Sequence, residues 1–579
     1  MDTKQPQIDP EVQMLVLNKE SGFNYRERRE QDWRENYMLY RDRVITNRLT
    51  QRQYVNIPLM KQSIRTLLKD VDDMPVLYFE NLSNDKEKEI FLNAYWKETV
   101  EHNRMDLKDI VDKRQVFLYG RSFDQMQIVD GRIKMTIEDP EDILVDRYCD
   151  PTDIDSSRFL IHTHIFVPLT VLEKNPEYDK EAIKELKTWY ATEQGLIKNT
   201  NNLNMWQNKV QKMADMGLKD VDNPVLGETI VELSMHFLYR AGTNDSEELY
   251  LYVEADNQKI LLKKPLEEVI GATKDNYWKN HFPYNSWADD VERQDFWSDS
   301  VADIIRTPNK ILNVWFSQLV ENRTLRSYGM HYFDSTVEGF FPQTFNPVPW
   351  GWYGLPGKPS DVMQKVDVPD LSESLDEMNF IIQFSEKATG ATATQQGAQT
   401  ERKVTLGEVQ LALGEAKERS KGMSKFYTPN WKQRGIKFLK MVEAAPQKLD
   451  AVKIYEKGRN TNNIFTREIT PKDYLDEIGY GVKIWSQEER NNENTAKLEK
   501  LSVAVQNIPG NAKLLEIYQR KLLEFADLNP DEITAIIQAE NAKQQMMTQL
   551  SSQMAQPIAP MGQPQLQVPL VPPLKFDNN

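Results

Sequence analysis

Residues Trp297–Ser327 read WSDSVADIIRTPNKILNVWFSQLVENRTLRS, and this stretch together with the residues after it decides the fold. Val301, Ile304, Ile311, Trp315 and Leu319 keep a helical period, so a long helix is expected from near Trp297. Thr307-Pro308 should kink it, because proline removes a hydrogen bond. From Ser298 to Arg326 such a helix spans roughly 40 Å at 1.5 Å per residue, long for a globular helix and suited to a wall. An aromatic, Pro- and Gly-rich excursion runs from Tyr328 to the GLPGKPSD that ends at Asp361. A second helix returns, LSESLDEMNFIIQFSEK (Leu371–Lys387), and then comes a loop of small polar residues, ATGATATQQGAQTERK (Ala388–Lys403). Val404 to Ala445 reads as helix again. The order builds a stalk with a tip at one end and a finger at the other.

In that last helix Gly407, Gly414 and Gly422 fall near one face, each costing about 1 kcal/mol. They mark either a loose helix or a close approach between helices. Thr428-Pro429 should kink or break the run.

The chain has 579 residues, more than one core usually supports, so two or more modules are expected. No segment is apolar for the roughly 18 residues of a membrane span. The opening MDTKQPQIDPEVQ lacks the pattern of a signal peptide, so a cytosolic origin is expected. Cys149 is the only cysteine, which excludes an internal disulfide framework. Net charge is −16, with 88 acidic against 72 basic residues, and a sequence-specific DNA reader would carry a basic footprint instead. A conduit past which DNA slides should avoid strong phosphate pairing, and acidity suits that.

Residues 23 to 70 look helical, with Trp33, Tyr37, Tyr40 and Val44 on one stripe, and so do Asp85 to Arg114. Strands are expected at Gln115–Tyr119, Ser122–Val129, Arg132–Glu138 and Arg158–Val167, with a tight turn at Asp130-Gly131. After helices over Leu169–Gly217 come strands at Thr229–Arg240, Glu248–Glu254 and Gln258–Leu262, with turns at Gly242–Asp245 and Asp256-Asn257. This half is mixed α and β with an antiparallel sheet. Further strands are expected at Val452–Tyr455, Asn463–Ile469 and Tyr480–Trp485. Helices resume from Glu488, and a Gln- and Pro-rich tail, Gln549–Asn579, should be disordered.

Little chemistry is legible. GLPGKPS (Gly354–Ser360) spaces its glycines too closely for a Walker loop and puts Pro359 after Lys358. His162 and His164 lie two apart on an expected strand and so share a face, as a metal pair or as core histidines. The acids Glu138, Asp139, Glu141, Asp142, Asp146, Asp150, Asp153 and Asp155 suit either a cation or, without EF-hand spacing, a solvated loop. Their charge should raise the pKa of Cys149. No cofactor is implied. The aromatics of Phe340–Tyr353 either pack into a lobe or form a partner-docking tip; Phe345, Trp350, Trp352, Tyr353 and Lys358 are the candidates for docking.

EDPEDILVDRYCDPTDIDSSRFLIHTHIF (Glu138–Phe166), HFPYNSWADDVERQDFWSDSVADIIRTPNKILNVWFSQLVENR (His281–Arg323) and the helix–excursion–helix–loop–helix order resemble the portal proteins of tailed bacteriophages, the short-tailed ones most closely. The likeness covers most of residues 25 to 545. It implies an α+β, mostly helical portal-type fold. In that pattern residues 1–290 are a wing with a mixed antiparallel β region, 291–328 and 371–387 two stem helices, and 329–370 a clip. Residues 388–403 are then a channel loop, 404–446 a long kinked helix, 447–487 strands returning to the wing, 488–548 a short crown and 549–579 the tail.

The resemblance further implies a non-enzymatic homo-oligomeric ring, usually a dodecamer, at one vertex of the capsid in the virion. Its partners are major capsid and scaffolding proteins, the large terminase, then adaptor or tail proteins, and double-stranded DNA read without sequence specificity. No membrane is involved. Thr392, Thr394, Gln395, Gln396 and Gln399 would make weak, interchangeable contacts with a passing duplex. Arg402 and Lys403 would touch phosphates briefly or simply begin a solvated helix. The alternatives are another virion structural protein (a tail adaptor or scaffold) and a metal-dependent nuclease using the Asp139–Asp155 acids.

Overall fold

The computed structural model describes residues 9–42, 55–71, 74–216, 227–241, 247–272, 277–292, 295–328, 331–336, 354–365, 374–389, 427–457, 464–476 and 479–485, with a few isolated positions. The chain divides into two units, Met1–Ile454 with Thr466–Gln487, and Tyr455–Phe465 with Glu488–Asn579. The first unit holds nearly all of the described elements.

The fold is α+β, helices with antiparallel sheets. Helix α1 (Pro10–Tyr40) opens on an Asp9 cap whose carboxylate accepts the Glu11 N–H, with proline at the first helical position. Next come α2 (Leu59–Asp70), β1 (Val76–Asn81), α3 (Lys86–His102) and α4 (Met105–Tyr119). Arg104, in the left-handed region at φ 50°, breaks the expected single run into α3 and α4. Gln115–Tyr119 is helix, not strand. These β-prone residues close α4, and all five are buried. Burial around the whole helix end overrides strand propensity. The helix stops at Gly120 (φ +81°), where a Cβ would lie 2.0 Å from the Ser298 carbonyl oxygen.

β2 (Arg121–Val129) and β3 (Arg132–Glu138) then form a hairpin through Asp130 and Gly131, both at positive φ as a two-residue turn requires. The remaining strands of this half are β4 (Ile143–Val145), β5 (Phe159–Pro168), β6 (Ile230–Ala241), β7 (Glu247–Ala255), β8 (Ile260–Pro265) and β9 (Tyr284–Ala288). Helices α5 (Leu169–Lys174), α6 (Lys180–Tyr190) and α7 (Glu193–Met216) stand between β5 and β6, and α8 (Leu266–Ile270) comes after β8. The sheets run β4-β5-β6-β7-β8 and β3-β2-β9.

The long helix α9 (Val301–Tyr328) starts four residues later than expected. Ser300 and Asp303 fix the start reciprocally: the Ser300 hydroxyl accepts the Asp303 N–H at 3.1 Å and the Asp303 carboxylate accepts the Ser300 N–H at 2.8 Å. The helix continues through Pro308 without a break. Ile305 and Leu312 are fully buried on either side, and Arg306 is paired with Asp32 at 2.9 Å. Packing outweighs the one hydrogen bond lost.

β10 (His331–Phe333) and β11 (Met363–Lys365) pair antiparallel and zip the two ends of the excursion, with α10 (Pro359–Val362) just before β11. α11 (Ser374–Thr389) returns along α9. α12 (427–444) is succeeded by β12 (Val452–Lys457), β13 (Ile464–Ile469), α13 (Pro471–Tyr474) and β14 (Tyr480–Trp485), which pairs with β1. Pro429 stands inside α12, without a break between 427 and 444. Among the described residues no helix is long and apolar enough to cross a membrane.

Candidate functional site

The hairpin of α9 and α11 is built from two kinds of face. On the inner face of α9, Asn309, Asn313 and Ser317 are spaced by four and buried. Their side-chain oxygens accept the backbone N–H groups of Met60 (3.1 Å), Ile57 (2.8 Å) and Val55 (2.9 Å). These bonds satisfy the approach to α2, whose N-terminus has no side-chain cap. Nearer its start α9 is held on α1: Lys310 pairs with Glu35, and Arg29 with Asp303 at 3.3 Å. On the opposite side of α9, Ile304, Ile311, Val314 and Leu325 fall within about 80° of one another at 100° per residue, and all four are exposed. On α11 Phe380 (69% exposed) and Phe384 (57%) make an i, i+4 pair turned away from buried Met378 and Ser385.

Of the expected docking residues, Lys358 is exposed, and its carbonyl accepts the Asp361 and Val362 N–H groups that open α10. Phe345, Trp350, Trp352 and Tyr353 lie outside the described residues, as do the expected channel-loop residues Thr392, Thr394, Gln395, Gln396, Gln399, Arg402 and Lys403. Gly407, Gly414 and Gly422, the 242–245 turn, and nearly all of 488–579 lie outside them too.

α12 comes after that loop region and is fastened into the body by charge. Arg434, fully buried, donates through Nε to Asp124 at 2.9 Å and through Nη2 to Asp112 at 2.5 Å. Asn285 donates to the second oxygen of Asp124, and the Trp287 indole to that of Asp112. One turn earlier Tyr427 and Trp431 donate to Asp109, whose other oxygen pairs with Lys113 at 2.6 Å. Burial pushes the Asp109 carboxyl up to about 6, although Lys113 pulls it down. Every carboxylate here has a partner, so the cluster holds one orientation of α12 against α4, β2 and β9.

The acidic run divides in two, a buried part (Asp139, Asp142 and Asp146) and an exposed loop that carries Asp150 and Asp153. Asp142 and Asp139 are buried, and α7 supplies their countercharges: Lys209 lies 2.5 Å from Asp142, and Lys212 lies 2.7 Å from Asp139 and 3.1 Å from Glu141. Burial raises the Asp142 carboxyl, but Lys209 and His164 outweigh it and hold the group well below the usual range. Asp155 pairs with Lys437 at 3.0 Å. Asp150 and Asp153 accept backbone N–H groups two residues on. Among the described residues no group of three or more His, Cys, Asp or Glu is placed to hold a metal.

His162 and His164 do not share partners. A register shift comes after His162 on β5, and His164 sits at φ +56°, so the period of two fails there. His162 is buried with Nδ1 2.9 Å from the Tyr284 hydroxyl; His164 turns to Asp142 at 3.1 Å. Burial, more than the acids, lifts the Cys149 thiol to about 11.

No model of a known protein family matches this chain, and no curated protein matches it either.

Proposed function

We propose that the chain is the subunit of a phage portal ring. Copies, twelve on the pattern of that family, stand around an axis at one capsid vertex of the virion. Double-stranded DNA passes through the bore during packaging and ejection. The large terminase docks first and adaptor or tail proteins later. The energy for DNA movement then comes from a separate motor, and this chain performs no catalysis.

One observation carries this reading. The α9–α11 hairpin has an inner face satisfied by the body and outer faces that leave Ile304, Ile311, Val314, Phe380 and Phe384 exposed. Apolar faces of this kind on a long hairpin mark a contact surface. Side-by-side packing of identical hairpins makes a heterologous interface, which closes into a ring when the rotation closes. The buried fastening of α12 supports the same reading, because it fixes the position of the 427–444 helix on the body of each subunit.

Native mass spectrometry of the full chain tests it. A single closed stoichiometry is expected, dissociated by Phe380→Asp with Phe384→Asp. A monomer at micromolar concentration, or an open series of sizes, contradicts it.

A further inference from the structure

A second site lies between β9, α12 and the 151–155 loop, and it shares no lining residue with the α9–α11 hairpin. The cleft holds about 480 Å³, within the range of ligand pockets. β9 is the edge strand of the β3-β2-β9 sheet. The Pro283 carbonyl accepts from Met126 N–H at 2.9 Å, and by alternation residues 285 and 287 also turn their backbone groups to β2. Tyr284 points the other way, its carbonyl accepting from Lys437 Nζ at 2.5 Å. Ser286 and Ala288 therefore direct their N–H groups, and Ser286 its carbonyl as well, to the side away from β2, and both residues line the cleft.

Asn430 lines the same cleft from α12. It is 5% exposed, and neither its Nδ2 nor its Oδ1 has a hydrogen-bond partner. A buried carboxamide left wholly unpaired is costly, and its natural complement is a donor and an acceptor side by side, which a peptide group supplies. A free strand edge demands the same chemistry, since only an extended backbone offers N–H and C=O groups at the strand repeat. Charge narrows the partner further. Lys437 is already engaged by Asp155 and the Tyr284 carbonyl, whereas no cation among the described residues pairs with exposed Asp153.

We propose that this cleft binds an extended segment of a partner protein. The segment pairs with β9 at Ser286, one of its peptide groups is clamped by the Asn430 carboxamide, and a Lys or Arg beside that group meets Asp153. This does not depend on the ring.

The test titrates the full chain into a fluorescently labelled, amidated Thr-Val-Lys-Val-Thr pentapeptide and monitors anisotropy. Saturable binding is expected. At least tenfold weaker binding is expected when the peptide backbone is N-methylated, which removes its donors without altering the protein. Asn430→Leu should lower affinity at least tenfold with an unfolding midpoint no lower than the parent's, and Asp153→Asn should abolish the preference for Lys over Glu in the peptide. Equal binding of the N-methylated peptide, or no anisotropy change up to millimolar protein, overturns the proposal. Uptake only after dilution to monomer also overturns it, because a second copy of the chain then fills the cleft.

Discussion

The body of the first unit and its α9–α11 hairpin treat large apolar side chains in opposite ways. In the body, Trp33, Trp297, Tyr119 and Phe123 interlock edge to face, with ring centroids 5.2 Å apart for the Trp33–Trp297 pair, and Trp96 and Phe438 do the same at 4.8 Å. All six are buried by the chain itself. In the hairpin, Phe380 and Phe384 have no such cover. The contrast separates what one subunit needs in order to fold from what an assembly must supply. It also separates two kinds of mutation.

The largest effect on the fold should come from Arg434→Met, which leaves Asp112 and Asp124 buried without their cation. Unfolding by denaturant is expected to show a loss of about 3–5 kcal/mol. A loss under 1 kcal/mol would mean that the cluster is not what fastens α12. Asn313→Ala should cost about 1–3 kcal/mol in the same measurement, because the Ile57 N–H loses its acceptor. The next effect depends on pH. Burial, then the neighbouring Asp290, pushes the Asp289 carboxyl up to about 6, so its contribution to stability is full below about pH 4 and is lost as pH rises through 6. Asp289→Asn should therefore be more stable than the parent by about 1–2 kcal/mol at pH 8 and no more stable at pH 4. The smallest effect on the fold is expected from Phe380→Asp with Phe384→Asp: within about 0.5 kcal/mol for the isolated subunit, since both side chains are exposed there. A large loss of subunit stability would erase the contrast between hairpin and body.

Much of the fold was legible because local signals and burial agree. The Asp130-Gly131 turn, the Val452, Ile464 and Tyr480 strands and the α9–α11 return all come from turn chemistry and periodicity. The failures have physical causes. Gln115–Tyr119 has strand-forming residues, but burial on every side makes the end of α4 a helix. The period-two reading of His162 and His164 breaks at a bulge that no residue announces. Asp139, Asp142 and Asp155 look as solvated in one dimension as exposed Asp150 and Asp153, because Lys209, Lys212 and Lys437 come from distant elements. Arg434 did leave a trace: it interrupts the apolar stripe of Trp431, Phe438 and Met441, where a charge must be buried and paired. Asn430 left none, since its unpaired amide and the free edge of β9 meet only in the folded chain.

The most direct measurement is the end-on electron micrograph of the purified full-length chain. The account predicts a closed ring whose central aperture admits a B-form duplex. A particle with no axial opening, or one too narrow for duplex DNA, contradicts it.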